Sequence, residues 1–189
     1  MNQINPAPRE EFAIVLDFLP NGYPFGVRGE FQRKFPVAQG IGKIRFGLLE
    51  LAPKKGISLQ PGQEVYLGEG KRDEIHHIIG KLSYSRLTET AKTEVKFILE
   101  KLIKENEQRF IQFFNEAGPI NMRRHYLELL PGVGKKHMWE IIEQRKEKPF
   151  ENFEDIKSRV KLLPDPEKLV MKRIISEFEE NDNYHIFTS

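Results

Sequence analysis

The residues best suited to chemistry in this 189-residue chain lie in one short run, Leu127-Glu128-Leu129-Leu130-Pro131-Gly132-Val133-Gly134-Lys135-Lys136, followed by Met138-Trp139-Glu140-Ile141-Ile142. The run reads as helix, tight glycine hairpin, helix, with two lysines opening the second helix. A helix N-terminus presents unpaired backbone N–H groups and about half a positive charge, so a hairpin that exposes one suits a phosphate. Gly132 and Gly134 remove the Cβ atoms that would hold a sugar-phosphate backbone at a distance, and glycine also permits left-handed dihedrals. The chemistry is an electrostatic grip on a strand, without bond making. The competing reading is a plain connection between antiparallel helices, with a glycine cap and surface lysines.

Other residues offer less. No serine nucleophile elbow and no carboxylate cluster distinct from solvated helix faces is visible, so no enzymatic activity is expected. With no cysteine, thiolate chemistry and disulfides are excluded. His76 and His77 are adjacent, and strand alternation points them to opposite faces, so no metal site is expected. His125 and His137 flank the hairpin and are expected to contribute polar surface or an occasional hydrogen bond to phosphate. Gly40-Ile41-Gly42-Lys43 repeats the hairpin tetrapeptide without a preceding helix and reads as a turn between strands. Gly68-Glu69-Gly70-Lys71-Arg72 lacks the spacing and the Ser/Thr of a nucleotide-binding loop. Tyr23 and Phe25, in a glycine-containing loop beside Arg28, Arg33 and Lys34, are candidates for base stacking, with core packing as the alternative.

Formal net charge is only +2, so global charge argues weakly for a polyanionic partner and its distribution matters more. Arg123 and Arg124 precede the hairpin; Lys135, Lys136, Arg145, Lys146 and Lys148 follow it, whereas Glu177, Glu179, Glu180 and Asp182 make the far end acidic. A local basic patch supplies phosphate affinity even when the total nearly cancels. No apolar run reaches the roughly 18 to 20 residues that span a bilayer, and the first residues lack a signal-peptide core. A cytoplasmic protein without membrane association is the expectation.

The elements that must position the hairpin follow from pattern. Up to about residue 87, apolar runs at 12–16, 44–51, 63–67 and 75–82 are strand-like and are broken at Asn21-Gly22, Pro53, Pro61-Gly62 and Gly68-Glu69-Gly70. They predict a small, OB-like β-barrel over 1–87. The period then lengthens: Val95, Ile98, Leu99, Leu102, Ile103, Phe110, Phe113 and Phe114 form one stripe. This predicts a long connecting helix over 88–120, or two collinear ones, capped by Thr88 or Thr90 and ended by Gly118-Pro119. Asn121 would cap a helix running through Leu130. After the hairpin come a helix from about Lys135 to Lys146, a short one ending near 160–163, and a last one after Pro164-Asp165-Pro166-Glu167.

These last two helices look like a degenerate repeat of the first pair, with Leu163-Pro164 on Leu130-Pro131. Asp165, Pro166 and Glu167 stand where glycines and a lysine would be needed, so the second hairpin is expected to complete the core, with Lys168, Lys172 and Arg173 left to touch a backbone. The predicted fold class is α+β: an N-terminal OB-like barrel, a long helix, and an all-α tandem helical-hairpin domain over 121–182, with a tail over 183–189.

Residues 127–142 resemble the helix-hairpin-helix motif, and the pair of units resembles the tandem domain of DNA-repair and DNA-uptake proteins. The resemblance implies phosphate contacts from Gly132, Val133, Gly134, Lys135 and Lys136, with Arg123 and Arg124 alongside, and sometimes a monovalent cation on hairpin carbonyls. Met138 departs from the motif, which usually has a small residue there. Taken whole, the chain resembles the largely archaeal family of predicted RNA-binding proteins called domain of unknown function 655. The likeness lies in residues 126–142, with support from 149–156 and more weakly from 48–56. It implies sequence-independent nucleic-acid binding, RNA slightly favoured over DNA. A structural adaptor, docking on a ribosomal, polymerase or repair protein through the long helix, is the alternative.

Overall fold

A computed structural model describes residues 10–23, 35–179 and 184–188. The fold is α+β, a curled five-stranded antiparallel half-barrel with five α-helices among the described residues. The chain divides into two compact units, Met1–Ile98 with Ile186–Ser189, and Leu99–His185.

In the first unit the strands are β1 (Phe12–Leu19), β2 (Val37–Gly42), β3 (Leu48–Pro53), β4 (Glu64–Tyr66) and β5 (Ile75–Lys81), in the order β4-β1-β2-β3-β5. All four pairings are antiparallel. The inside of the curl is packed by Ala13, Val15, Ala38, Leu49, Leu51, Leu59, Val65, Leu67 and Ile75. β2 is buried at every residue, which explains why it shows no in–out alternation in the sequence. A register shift between Val15 and Asp17 bends β1, as an extra residue in one strand does. Gln60–Gln63 makes a four-residue turn closed by Gln63 N–H to Gln60 C=O, with Gly62 at φ +82°. Pro61 and Gly62 are the residue pair that turn demands.

Two expectations need correction here. Gly40-Ile41-Gly42 is not a turn but the end of β2, and the chain reverses over Lys43–Arg45. Its glycines serve close packing: a Cβ at Gly40 would come within 3.2 Å of the Ile14 carbonyl, and one at Gly42 would strike the Glu10 carboxylate. That carboxylate accepts from the N–H groups of Ile44 and Arg45. Correspondingly, β3 begins at Leu48, not Ile44. The histidines also differ. Ala52 pairs with His77 and Pro53 with Ile75, so His76 is the extra residue of a β-bulge. The alternation fails there, and the two Nδ1 atoms come within 2.8 Å. No third His, Asp or Glu joins them in a metal-holding group among the described residues.

The predicted helix over 88–120 is two helices, α1 (Glu89–Glu105) and α2 (Glu107–Glu116). Thr88 caps α1 by accepting from Ala91 N–H, while its own hydroxyl donates to Asp17. Asn106 breaks the run at φ −110°, ψ 25°, its side-chain amide donating to the Leu102 carbonyl. Asparagine competes with the helix for backbone partners in this way. The division between the two compact units falls inside α1, between Ile98 and Leu99. In the second unit α3 (Lys135–Glu147), α4 (Phe153–Arg159) and α5 (Pro166–Phe178) follow. No helix among the described residues is long and apolar enough to cross a membrane.

Candidate nucleic-acid interface

The helix expected over 121–130 does not form. Asn121 Oδ1 accepts from the N–H groups of Arg123 and Arg124, folding 121–124 into a tight turn of the kind asparagine favours. Only a 3₁₀ turn, Tyr126–Leu129, precedes the hairpin. It is closed reciprocally: His125 Nδ1 accepts from Leu127 N–H at 3.1 Å, and Glu128 Oε2 accepts from His125 N–H at 2.8 Å. A capping box fits these contacts, with histidine in the usual Ser/Thr place. Burial and the nearby Arg145 cation hold the His125 pKa below its ordinary value.

Leu130 to Val133 then form a turn closed by Val133 N–H to Leu130 C=O at 2.9 Å, with Gly132 at φ +100°. Pro131 at the second position and glycine at the third match the type II turn. Val133 is buried, pinning the loop inward, while Gly132 and Gly134 are exposed. Gly134 is the N-cap of α3 with extended backbone, φ −91° and ψ −178°. It has no side chain to cap with, and a Cβ there would meet nothing within 4 Å. Among the described residues the N–H groups of Gly134, Lys135, Lys136 and His137 have no acceptor. A 13-residue helix thus presents its positive end uncapped at an open surface.

The later helices do otherwise. Asn152 accepts from Asp155 N–H at the start of α4, and Glu107 takes Phe153 N–H. At α5, Asp165 Oδ1 accepts from Glu167 and Lys168, and Pro166 has no N–H to offer. The second hairpin fills with its own carboxylate the position that the first leaves open. Its turn also holds Leu162 at φ +60°.

The predicted basic residues separate into two groups. Lys135 Nζ bonds Glu128 Oε2 at 2.8 Å and the Arg123 carbonyl at 2.7 Å, and this lysine is the main reason the Glu128 pKa is lowered. Arg145 is withdrawn from the surface patch, donating to the carbonyls of Phe114 and Ala117 at the end of α2. Lys148 pairs with Glu151. Arg173 is buried, bonded to Glu177 at 2.8 Å and to the Leu129 carbonyl at 3.2 Å, so it cannot touch a bound backbone. Arg123, Lys136 and Lys146 are exposed, as is Arg124, which lies over the Tyr184 ring.

Met138 is buried against the expectation of a small residue, and beside it Trp139 is 58% exposed. The sequence reading assigned Trp139 no role, although its place one turn into a helix whose neighbours Met138, Ile141 and Ile142 are buried was the available signal. In the first unit, Tyr23 is buried and its hydroxyl accepts from the Gln39 amide at 3.1 Å. A ring so covered cannot stack on a base, and core packing is its role. Phe25 lies outside the described residues.

A curled antiparallel half-barrel with a helical unit is the class these features define. The chain belongs to the family described as protein of unknown function (DUF655), which matches residues 9–189. It is 41% identical over 184 residues to the uncharacterized protein MJ0038 of Methanocaldococcus jannaschii, covering 96% of this chain and 81% of that protein. The crystal structure of Af1531 from Archaeoglobus fulgidus, of the same family, is similar with a TM-score of 0.82 and 46% identity, covering 95% of this chain and all of that one.

Proposed function

We propose that this protein binds nucleic acid without enzymatic action and without sequence preference, holding backbone phosphates at the hairpin Gly132–Lys136 in the manner of a helix-hairpin-helix. The observation that carries the reading is the open start of α3, where, among the described residues, four successive N–H groups lack acceptors beside exposed Lys136. Such an end attracts anions through both its donors and its dipole. Arg123 and Lys146 add cations within the same unit. The five strands and the open curl of the sheet support reading it as OB-like. RNA is favoured slightly over DNA by the family resemblance; the hairpin itself meets phosphate in both. The adaptor reading draws support from Phe97, 66% exposed on α1.

Gly134→Asp tests the proposal. The backbone there is extended and the space is open, so the side chain fits. As an N-cap, Asp should hold stability constant or raise it by a few tenths of a kcal/mol, about the difference between a glycine and an aspartate cap. Its carboxylate would occupy the N–H groups and repel phosphate. Binding to a mixed-sequence RNA, followed by fluorescence anisotropy of a labelled strand, should be abolished while the unfolding midpoint is kept. Unchanged binding would sink the reading.

A further inference from the structure

Trp139 is the only tryptophan of the chain, and its ring makes no aromatic or cation–π contact among the described residues. At 58% exposure it leaves in water the side chain that has most to gain from cover. Its neighbours on the exposed face of α3, at helical spacings of three and four, are Lys135, Lys136 and Glu143. Met138, Ile141 and Ile142 are buried. Along its own helix the indole therefore stands among charged side chains.

Its direction along the helix matters as well. Side chains in an α-helix lean toward the N-terminus and cover the turn before their own Cα. Trp139 sits about 6 Å of helix rise beyond Lys135, and its Cα–Cβ bond tilts toward the helix end that carries the uncapped N–H groups. An aromatic face beside a phosphate site, with lysines on the same turn, is the combination that holds a nucleotide by backbone and base together. A base within a duplex has both faces covered by its neighbours, whereas an unpaired base can be splayed onto a ring.

We propose that Trp139 is a stacking platform for an unpaired nucleobase whose phosphate is held at the start of α3, so that the site takes single-stranded nucleic acid in preference to duplex. The proposal rests on the phosphate-holding reading above and names its ligand class.

Because Trp139 is the only tryptophan, emission of the full chain excited beyond the tyrosine absorption band reports this site alone. The probes are a short unstructured single-stranded RNA, the same strand in a blunt duplex, and inorganic polyphosphate. The single strand should quench the emission, and the other two should leave it nearly unchanged. Trp139→Ala should weaken single-strand binding about tenfold, within the range of one lost base stack, and leave polyphosphate binding as it was. Trp139→Phe, which keeps a stacking ring, should recover most of the affinity; the exposed position lets both variants fold. Wild-type binding that is salt-dependent but unquenched, or equally strong in Trp139→Ala, overturns this proposal and leaves the phosphate grip standing. Absence of binding to all three probes at low salt overturns both.

Discussion

Glu128 Oε2 takes hydrogen bonds from both His125 N–H and Lys135 Nζ, so one carboxylate closes the turn before the hairpin and neutralises one of its two lysines. Glu128→Gln keeps an acceptor for His125 but removes the charge. It should raise nucleic-acid affinity and steepen the salt dependence by about 0.7 to 0.9, one further phosphate contact, as a titration at several salt concentrations would read. His125 adds a pH dependence. Its Nδ1 accepts from Leu127 N–H, which requires that nitrogen unprotonated, and its folded pKa is lowered. Between that lowered value and about 6.5, the unfolded value, the unfolded chain holds more protons, so stability rises with pH. The stabilisation is complete above about 6.5 and drains away on acidification below it. Unfolding midpoints across this interval should rise with pH in the wild type and flatten in His125→Asn, which keeps a capping acceptor.

At the level of elements, the difference between the two hairpins is a difference in what stands at each turn. The first holds its positive φ at Gly132, just after its proline; the second holds one at Leu162, before its proline and 84% exposed. A non-glycine residue in the left-handed region costs about 1–2 kcal/mol, and this side chain has little burial to lose. Leu162→Gly should therefore stabilise the second unit by up to about 1 kcal/mol in urea unfolding, after glycine's greater freedom in the unfolded chain is set against the relief. A loss of stability would show that the strain is met elsewhere. Apolar spacing made α3, α4, α5 and most strands legible, because each buries one recognisable face. The helix expected before the hairpin was misread for a local reason: Asn121 caps a turn instead of a helix, and Pro119 bridges to His125. The bulge at His76 was equally invisible, since alternation is the only guide a strand sequence provides.

For the whole molecule, a formal charge of +2 gives no general attraction to a polyanion, so binding must draw on a few local contacts. The logarithm of the binding constant should fall linearly with that of salt, with a slope of about −0.7 to −0.9 per phosphate held. The slope should correspond to a small number of contacts, and Lys136→Glu should remove at least one. A salt-independent constant would count against a backbone grip. The residue order by itself determined where the glycines, lysines and apolar stripes lie, hence a strand-rich first part, a helical second part and an exposed hairpin between helical segments. These are local properties, set by turn chemistry and periodicity. Which cations remain free was decided only by tertiary structure. Arg145 closes the end of α2, Arg173 is buried against Glu177 and the Leu129 carbonyl, Lys135 is held by Glu128, and Trp139 is left in water. A cation's availability depends on which carbonyls and carboxylates the fold brings within about 3 Å of it, and no spacing along the chain encodes that.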